Sequence, residues 1–297
     1  MKEYIILTDT CSELDSKALA ELKADTVHMH LFIDDKDILA DNDWQQFSVK
    51  EFYDLVRSGK RCTTSQADEA QFEVKFRKAA EEGKGIMYIA CSSALTSSHK
   101  EALRAREAVL KDFPEAEIYC VDSLNACYSL GMLVKKACEL RDQGLSLEEN
   151  AKWVEANKMR YNESGTVDNL TYLKRAGRVN GMAAFFGGLL AIKPIIALNT
   201  LGQNNAFEKV KGRPAAFKRS AEIIAQYIDL ELSDDIYVCH ADCGDEVEEF
   251  INIIKAALGE RKANFHISFI DPIIGISVGP GTFIIDFAAK EELRNVQ

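Results

Sequence analysis

Short β-type runs alternating with amphipathic helical stretches govern what the first half of this chain can become. The runs 4–8 (YIILT), 26–33 (TVHMHLFI), 85–91 (GIMYIAC) and 116–121 (AEIYCV) are interleaved with helical periodicity near 15–23, 48–58, 68–82, 97–112 and 123–141. Strands joined by crossing helices run parallel and need cover on both faces. This half is therefore expected to form a three-layer α/β/α domain. A further helix over 146–160 opens on Ser146 with Glu149 three residues on, a capping box. It leads to YNESG (161–165), where the domain boundary is placed. Beyond it, strands are predicted at 165–168, 190–198, 206–211, 235–240, 263–270 and 281–287, with helices near 169–175, 214–229 and 244–257. That spacing suits a mixed sheet in a two-layer α/β domain. Domains of 1–160 and 161–297 without a long linker are expected to pack closely, with a ligand cleft between them.

Composition narrows the functional classes. Apolar residues make up 47% of the chain and aromatics 9%, enough to bury substantial cores without staples. No stretch nears the roughly 18 consecutive apolar residues of a membrane span, so no stable membrane insertion is expected. The opening MKEYIILTD turns polar too soon for a signal peptide, and the chain reads as cytoplasmic. Eight scattered cysteines contain no C-x-x-C pair, which points to neither a zinc ribbon nor a thioredoxin-type site. A net charge of −11 disfavours nucleic acid as a partner, because phosphate binding depends on clustered Lys and Arg.

Polar clusters fall at several strand or loop ends. An open parallel sheet receives ligands beyond the carboxyl ends of its strands, and CSSALTSSH (91–99) directly follows such a run. Ser92 and Ser93 are either ligand-binding groups or turn residues ahead of a helix that Thr96 or Ser97 caps. Cys62-Thr-Thr-Ser-Gln66 stands ahead of the helix over 68–82, with Ser65 or Asp68 as its cap, and Thr8-Asp9-Thr10 ends the first strand. Three such ends converging on one sheet edge would make a pocket. A P-loop, a G-x-G-x-x-G fingerprint and a G-x-S-x-G elbow are all missing from the sequence. This argues against nucleotide hydrolysis, a dinucleotide cofactor and a serine hydrolase. His28 and His30 share one face of a predicted strand but lack a third metal ligand, while Cys239 and His240 of CHADC point to opposite faces; both groups read as structural. Val278-Gly-Pro-Gly281 is a turn whose glycines let backbone amides approach a ligand or a strand. Residues 169–178 read as a short helix, Leu170 and Leu173 inward, ending in Lys174, Arg175 and Arg178 around Gly177. Those cations either complement the helix dipole or form a docking surface.

Eight fragments recur in a particular order: Thr8-Asp9, Thr64-Ser65-Gln66, Ser92-Ser93-x-Leu95, Val121-Asp122-Ser123 with Gly131, Leu170-x-Tyr172-Leu173 with Gly177-Arg178, Leu190-x-Ile192-Lys193-Pro194, Lys209-Val210-Lys211-x-Arg213, and Val278-Gly-Pro-Gly281. Together they resemble the DegV family of bacterial fatty-acid-binding proteins, almost end to end. The resemblance implies a non-catalytic, lipid-binding carrier that serves phospholipid metabolism, with no cofactor beyond the bound acid. A long-chain fatty acid would lie between two domains and be presented to a separate ATP-dependent fatty-acid kinase, which makes the acyl phosphate. Carried over, Thr64 and Ser93 would hydrogen-bond the carboxylate, with Ser65, Ser92, Ser277 and the backbone of the Gly279–Gly281 turn nearby. Neutral donors suit a buried carboxylate that must stay reactive. The tail would lie along apolar groups such as those of Phe185–Leu190 and Ile273-Ile274, at about 0.8 kcal/mol per buried methylene. Arg178, with Lys174 and Arg175, would dock the kinase subunit.

The chain departs from the family pattern in four places. Thr96-Ser97-Ser98-His99 stands for the usual Ser-Gly-Thr-Tyr, Ala67 for a Pro, Ala176 for a Gly, and Ser277 for a His that helps hold the carboxylate. His99 compensates only if it points into the same pocket. Two alternatives stay open: a carrier for a different small amphiphile, or an enzyme using the Ser92–Ser93 region as nucleophile or phosphotransfer site with His99 as base.

Overall fold

A computed structural model of the chain describes residues 2–180 and 191–296. From the N-terminus run β1 (Tyr4–Asp9), α1 (Ser16–Glu21), β2 (Ala24–Val27), β3 (His30–Ile33), β4 (Lys36–Leu39), α2 (Val49–Arg57), β5 (Cys62–Ser65), α3 (Glu69–Glu81), β6 (Gly85–Ala90), α4 (Ser98–Asp112), β7 (Ile118–Asp122), α5 (Cys127–Asp142) and α6 (Leu147–Asn157). Then come β8 (Tyr161–Thr166), α7 (Leu170–Ala176), β9 (Val179–Asn180), β10 (Ile192–Leu198), β11 (Asn204–Lys211), α8 (Arg213–Tyr227), β12 (Asp235–His240), α9 (Val247–Leu258), β13 (Asn264–Phe269), α10 (Pro272–Val278) and β14 (Phe283–Ala288).

The strands β2-β1-β6-β7 form a parallel sheet in that order. Every residue of β6 is buried, as a central parallel strand covered on both faces must be. Helices α3 and α4 pack on each other and on β6, and α5 and α6 do likewise, giving the three layers. Phe72 of α3 meets the Tyr88 ring at 4.7 Å. The second half builds a seven-stranded mixed sheet, β13-β12-β14-β8-β10-β11-β9. One face carries α8 and α9, where Phe217 and Phe250 stack at 4.3 Å and Phe283 meets both edge-on. Its other face meets α5 of the first half. No helix among the described residues is long and apolar enough to cross a membrane.

Several elements differ from the sequence reading. The run 26–33 is two strands, because the peptide groups at its middle are bonded elsewhere. Gln71 Oε1 accepts the His28 N–H (2.9 Å), Thr10 Oγ1 accepts that of Met29 (3.0 Å), and the Met29 carbonyl accepts from Ala40. The chain therefore leaves the parallel sheet, and β3 joins β4 and β5 in a small antiparallel sheet. Second, Thr64 and Ser65 lie in a strand, opposite Leu31 and His30, and Asp68 alone caps α3. Third, β8 begins at Tyr161, four residues earlier than predicted, and α10 was not foreseen. The helix after Ser146 has both arms of its capping box and ends at Asn157.

Candidate functional site

The carboxyl ends of β1, β6 and β7 meet at one edge, and buried polar groups fix the turns there. The Asp9 carboxylate accepts the Cys11 and Cys91 N–H groups (3.1 and 2.9 Å) and the Tyr88 hydroxyl (2.6 Å). Burial raises its pKa all the same. Thr8 Oγ donates to the Ile89 carbonyl and Thr10 Oγ to that of Val27. The first-strand cluster is thus a frame that sets the two turns.

Beyond this edge lies a cavity of about 320 Å³, within the size range of small-molecule sites. Thr64 and Ser65 reach it from β5, Ser93 from the turn after β6, and Ser277 from α10. Its apolar wall includes Leu95, Ile196, Ile273, Ile274 and Ile284. The Ser93 N–H is fixed by Asp122 Oδ1 at 3.0 Å, which presents the hydroxyl without using it. Ser65 Oγ donates to Gln66 Oε1 at 3.1 Å. Residues far apart in sequence thus present several hydroxyls and one apolar wall to a single space. Such a space can hold an amphiphile with an anionic head by neutral donors.

Other predicted site residues lie elsewhere. Ser92 is fully buried and donates to the Gly202 carbonyl at 2.7 Å, tying the first half to the turn between β10 and β11. Neither glycine of the Gly279–Gly281 turn offers an amide: Gly279 N–H goes to Gly275 O and Gly281 N–H to Ala241 O, both at 2.8 Å. At Gly279 a Cβ would come within 2.2 Å of the Tyr172 ring, and φ is +78°, so packing against α7 is what demands glycine there. His99 is not in the described lining; its Nε2 lies 3.3 Å from the Cys120 carbonyl on β7. It therefore replaces nothing in the cavity and offers Ser93 no base. Ser97 stands at the N-cap of α4 without a capping bond and lines the cavity instead.

Arg178 is exposed and also lines the cavity, whereas Lys174 and Arg175 do not line it. The Arg175 guanidinium lies 6.0 Å over the Tyr172 ring. Gly177 ends α7 in the left-handed conformation, its N–H on Leu173 O, as the sequence indicated. The tail segment Phe185–Leu190 lies outside the described residues. His28 Nδ1 contacts the Ala40 carbonyl, while His30 sits between Asp37 and Asp68, so the two are not a ligand pair. His240 Nδ1 accepts from the Cys243 N–H, and burial holds the imidazole below its usual pKa.

Sequence reasoning missed Glu163 and Asn204, which line the cavity from the seven-stranded sheet. The signal was the polar string YNESGT, read as a boundary rather than as a buried strand.

The family model described as "Uncharacterised protein, DegV family" matches residues 4–290. A DegV domain-containing protein of Clostridium perfringens is 32% identical over 287 residues, 97% of this chain and 98% of that protein. A stearic acid-binding protein from Eubacterium ventriosum shares the fold with a TM-score of 0.85 at 21% identity, over 98% of this chain and 99% of that one. DegV from Bacillus subtilis, described as a fatty acid binding protein, does so with a TM-score of 0.81 at 23% identity, over 98% and 100%. A family match over nearly the whole length, on a fold shared with these structures, means that the chain belongs to the DegV family.

Proposed function

We propose that this protein is a carrier that binds a long-chain fatty acid in the cavity between its two halves, taken as domains 1–160 and 161–297. It would present the carboxylate to a separate ATP-dependent fatty-acid kinase. The observation that carries the reading is the meeting of Thr64, Ser93 and Ser277 with an apolar wall in one cavity. Solved relatives of the same fold bind stearic and vaccenic acid, which supports the ligand class. Thr64 and Ser93 are the carboxylate donors in this reading, with Ser65 and Ser277 beside them. Arg178, at the cavity and exposed, docks the partner kinase in this reading. An enzymatic role for the serines is disfavoured, since the one histidine near them in sequence is bonded to β7.

The test is uptake of oleate or stearate by delipidated protein, with mass spectrometry of material purified without delipidation. Thr64→Ala with Ser93→Ala is expected to lower affinity at least about tenfold, the worth of one or two charge-assisted hydrogen bonds. Absence of any lipid in both experiments would overturn the reading. Arg178→Ala is expected to leave uptake close to wild type and to slow kinase-dependent phosphorylation.

A further inference from the structure

The cavity wall contributed by the seven-stranded sheet is not uniformly apolar. Glu163 on β8 lines it and is only 3% exposed. Among the described residues its carboxyl has no hydrogen-bond partner; the contact at this residue is its own N–H on Asn162 Oδ1. Alternation along the strand puts Gly165 on the same face, and Gly165 pairs with Ile196 of β10. Gly165 lines the cavity too, between Ile196 and Ile284 and beside Glu163, and a Cβ there would lie 3.3 Å from the Phe283 carbonyl. Asn204 lines the same cavity from β11, and its Oδ1 is buried without a partner. One strand separates β8 from β11, so these two polar groups stand roughly 10 Å apart, two strand spacings.

A plain hydrocarbon tail satisfies neither group. Burial and the neighbouring Asp286 carboxyl push Glu163 well above the usual carboxylate range. A neutral carboxyl offers one O–H donor and acceptor oxygens. Its natural complement in an otherwise apolar slot is a neutral hydroxyl, which both donates and accepts. A second carboxylate would be repelled by Asp286 and would add to the desolvation cost.

We propose that this cavity is selective for a fatty acid whose chain carries a hydroxyl or comparable hydrogen-bonding oxygen, read by Glu163 with Asn204 as the second polar contact. The proposal rests on the fatty-acid reading above and refines the class of acid. It makes Glu163 a specificity-determining residue.

The experiment titrates delipidated protein with stearate and with monohydroxystearates substituted near the head, the middle and the far end of the chain. At least one hydroxystearate is expected to bind about tenfold more tightly than stearate, the usual cost of leaving one buried polar group unpaired. Glu163→Leu is expected to abolish that preference by tightening stearate and weakening the hydroxy acid. Glu163→Gln, which still donates and accepts, is expected to keep most of it. Stearate binding as tightly as every hydroxystearate overturns the proposal and leaves the fatty-acid reading standing. If none of the acids binds, the fatty-acid reading falls and takes the proposal with it. The wild-type comparison decides the matter even where a variant fails to fold.

Discussion

Ser92 and Ser93 are neighbours with opposite duties. Ser92 spends its hydroxyl on the Gly202 carbonyl in a fully buried position, and a Cβ at Gly202 would lie 2.3 Å from that oxygen, so the contact is tight on both sides. Ser93 is exposed, and only its backbone is held, by Asp122. Ser92→Ala is therefore predicted to cost about 1–2 kcal/mol of stability, the price of an orphaned buried acceptor, visible as a lower Tm. Ser93→Ala is predicted to leave Tm near wild type and to weaken fatty-acid binding. Equal effects of the two substitutions on both measurements would refute the assignment. Nothing in the sequence separates the pair, because both follow a buried strand at the ligand-receiving edge. The difference is set by a turn more than a hundred residues away, where no local pattern reaches.

Among the elements, β8 was the hardest to read and the most consequential. Its sequence, YNESGT, has the polarity of a loop, yet all six residues are buried. What permits this is side-chain bonding in place of part of the ladder. Asn162 Nδ2 donates to the Leu198 carbonyl at 3.1 Å, while its Oδ1 accepts from Leu198 N–H at 3.0 Å and from Glu163 N–H at 2.8 Å. One amide thereby joins β8 to β10. Asn162→Ala would leave three backbone groups unpaired and is predicted to lower stability by roughly 2–4 kcal/mol. Chemical denaturation measures this, and a loss well under 1 kcal/mol would mean that water or a register shift replaces the amide. The elements that were legible carry local signals: capping serines and aspartates, the capping box of α6, glycine after α7. The signal for α10 was also local, since Asp271 caps it and Pro272 opens it. It was hidden by strong β-formers, Ile273, Ile274 and Ile276, within a helix.

At the scale of the molecule, the two halves meet through buried acids rather than through apolar side chains alone. Asp286 of the seven-stranded sheet accepts the Ser129 N–H of α5 at 2.8 Å, and Glu13, after β1, accepts the Asp271 N–H at 2.9 Å. A buried Arg294 closes the same seam, donating to the carbonyls of Leu124 and Tyr161 and to Asn125 Oδ1. Desolvation raises the pKa values of Asp271 and Asp286 from 3.8 to about 7, and it pushes Glu13 and Glu163 up as well. The folded state therefore keeps protons that the unfolded chain has already released. Stability from these groups is fully present below the unfolded carboxyl pKa of about 4 and is lost as pH rises through about 7. This slope is opposite to that of ion-paired surface carboxylates. Unfolding free energy is predicted to be larger near about pH 5 than near about pH 8. Asp286→Asn, which keeps an acceptor for Ser129 and removes the ionisation, should flatten that difference. The comparison needs the substitution, because the net charge of −11 by itself also favours the lower pH through weaker self-repulsion. If the variant and the wild type lose stability in parallel across this range, the slope belongs to the surface charge and the buried seam contributes nothing to it.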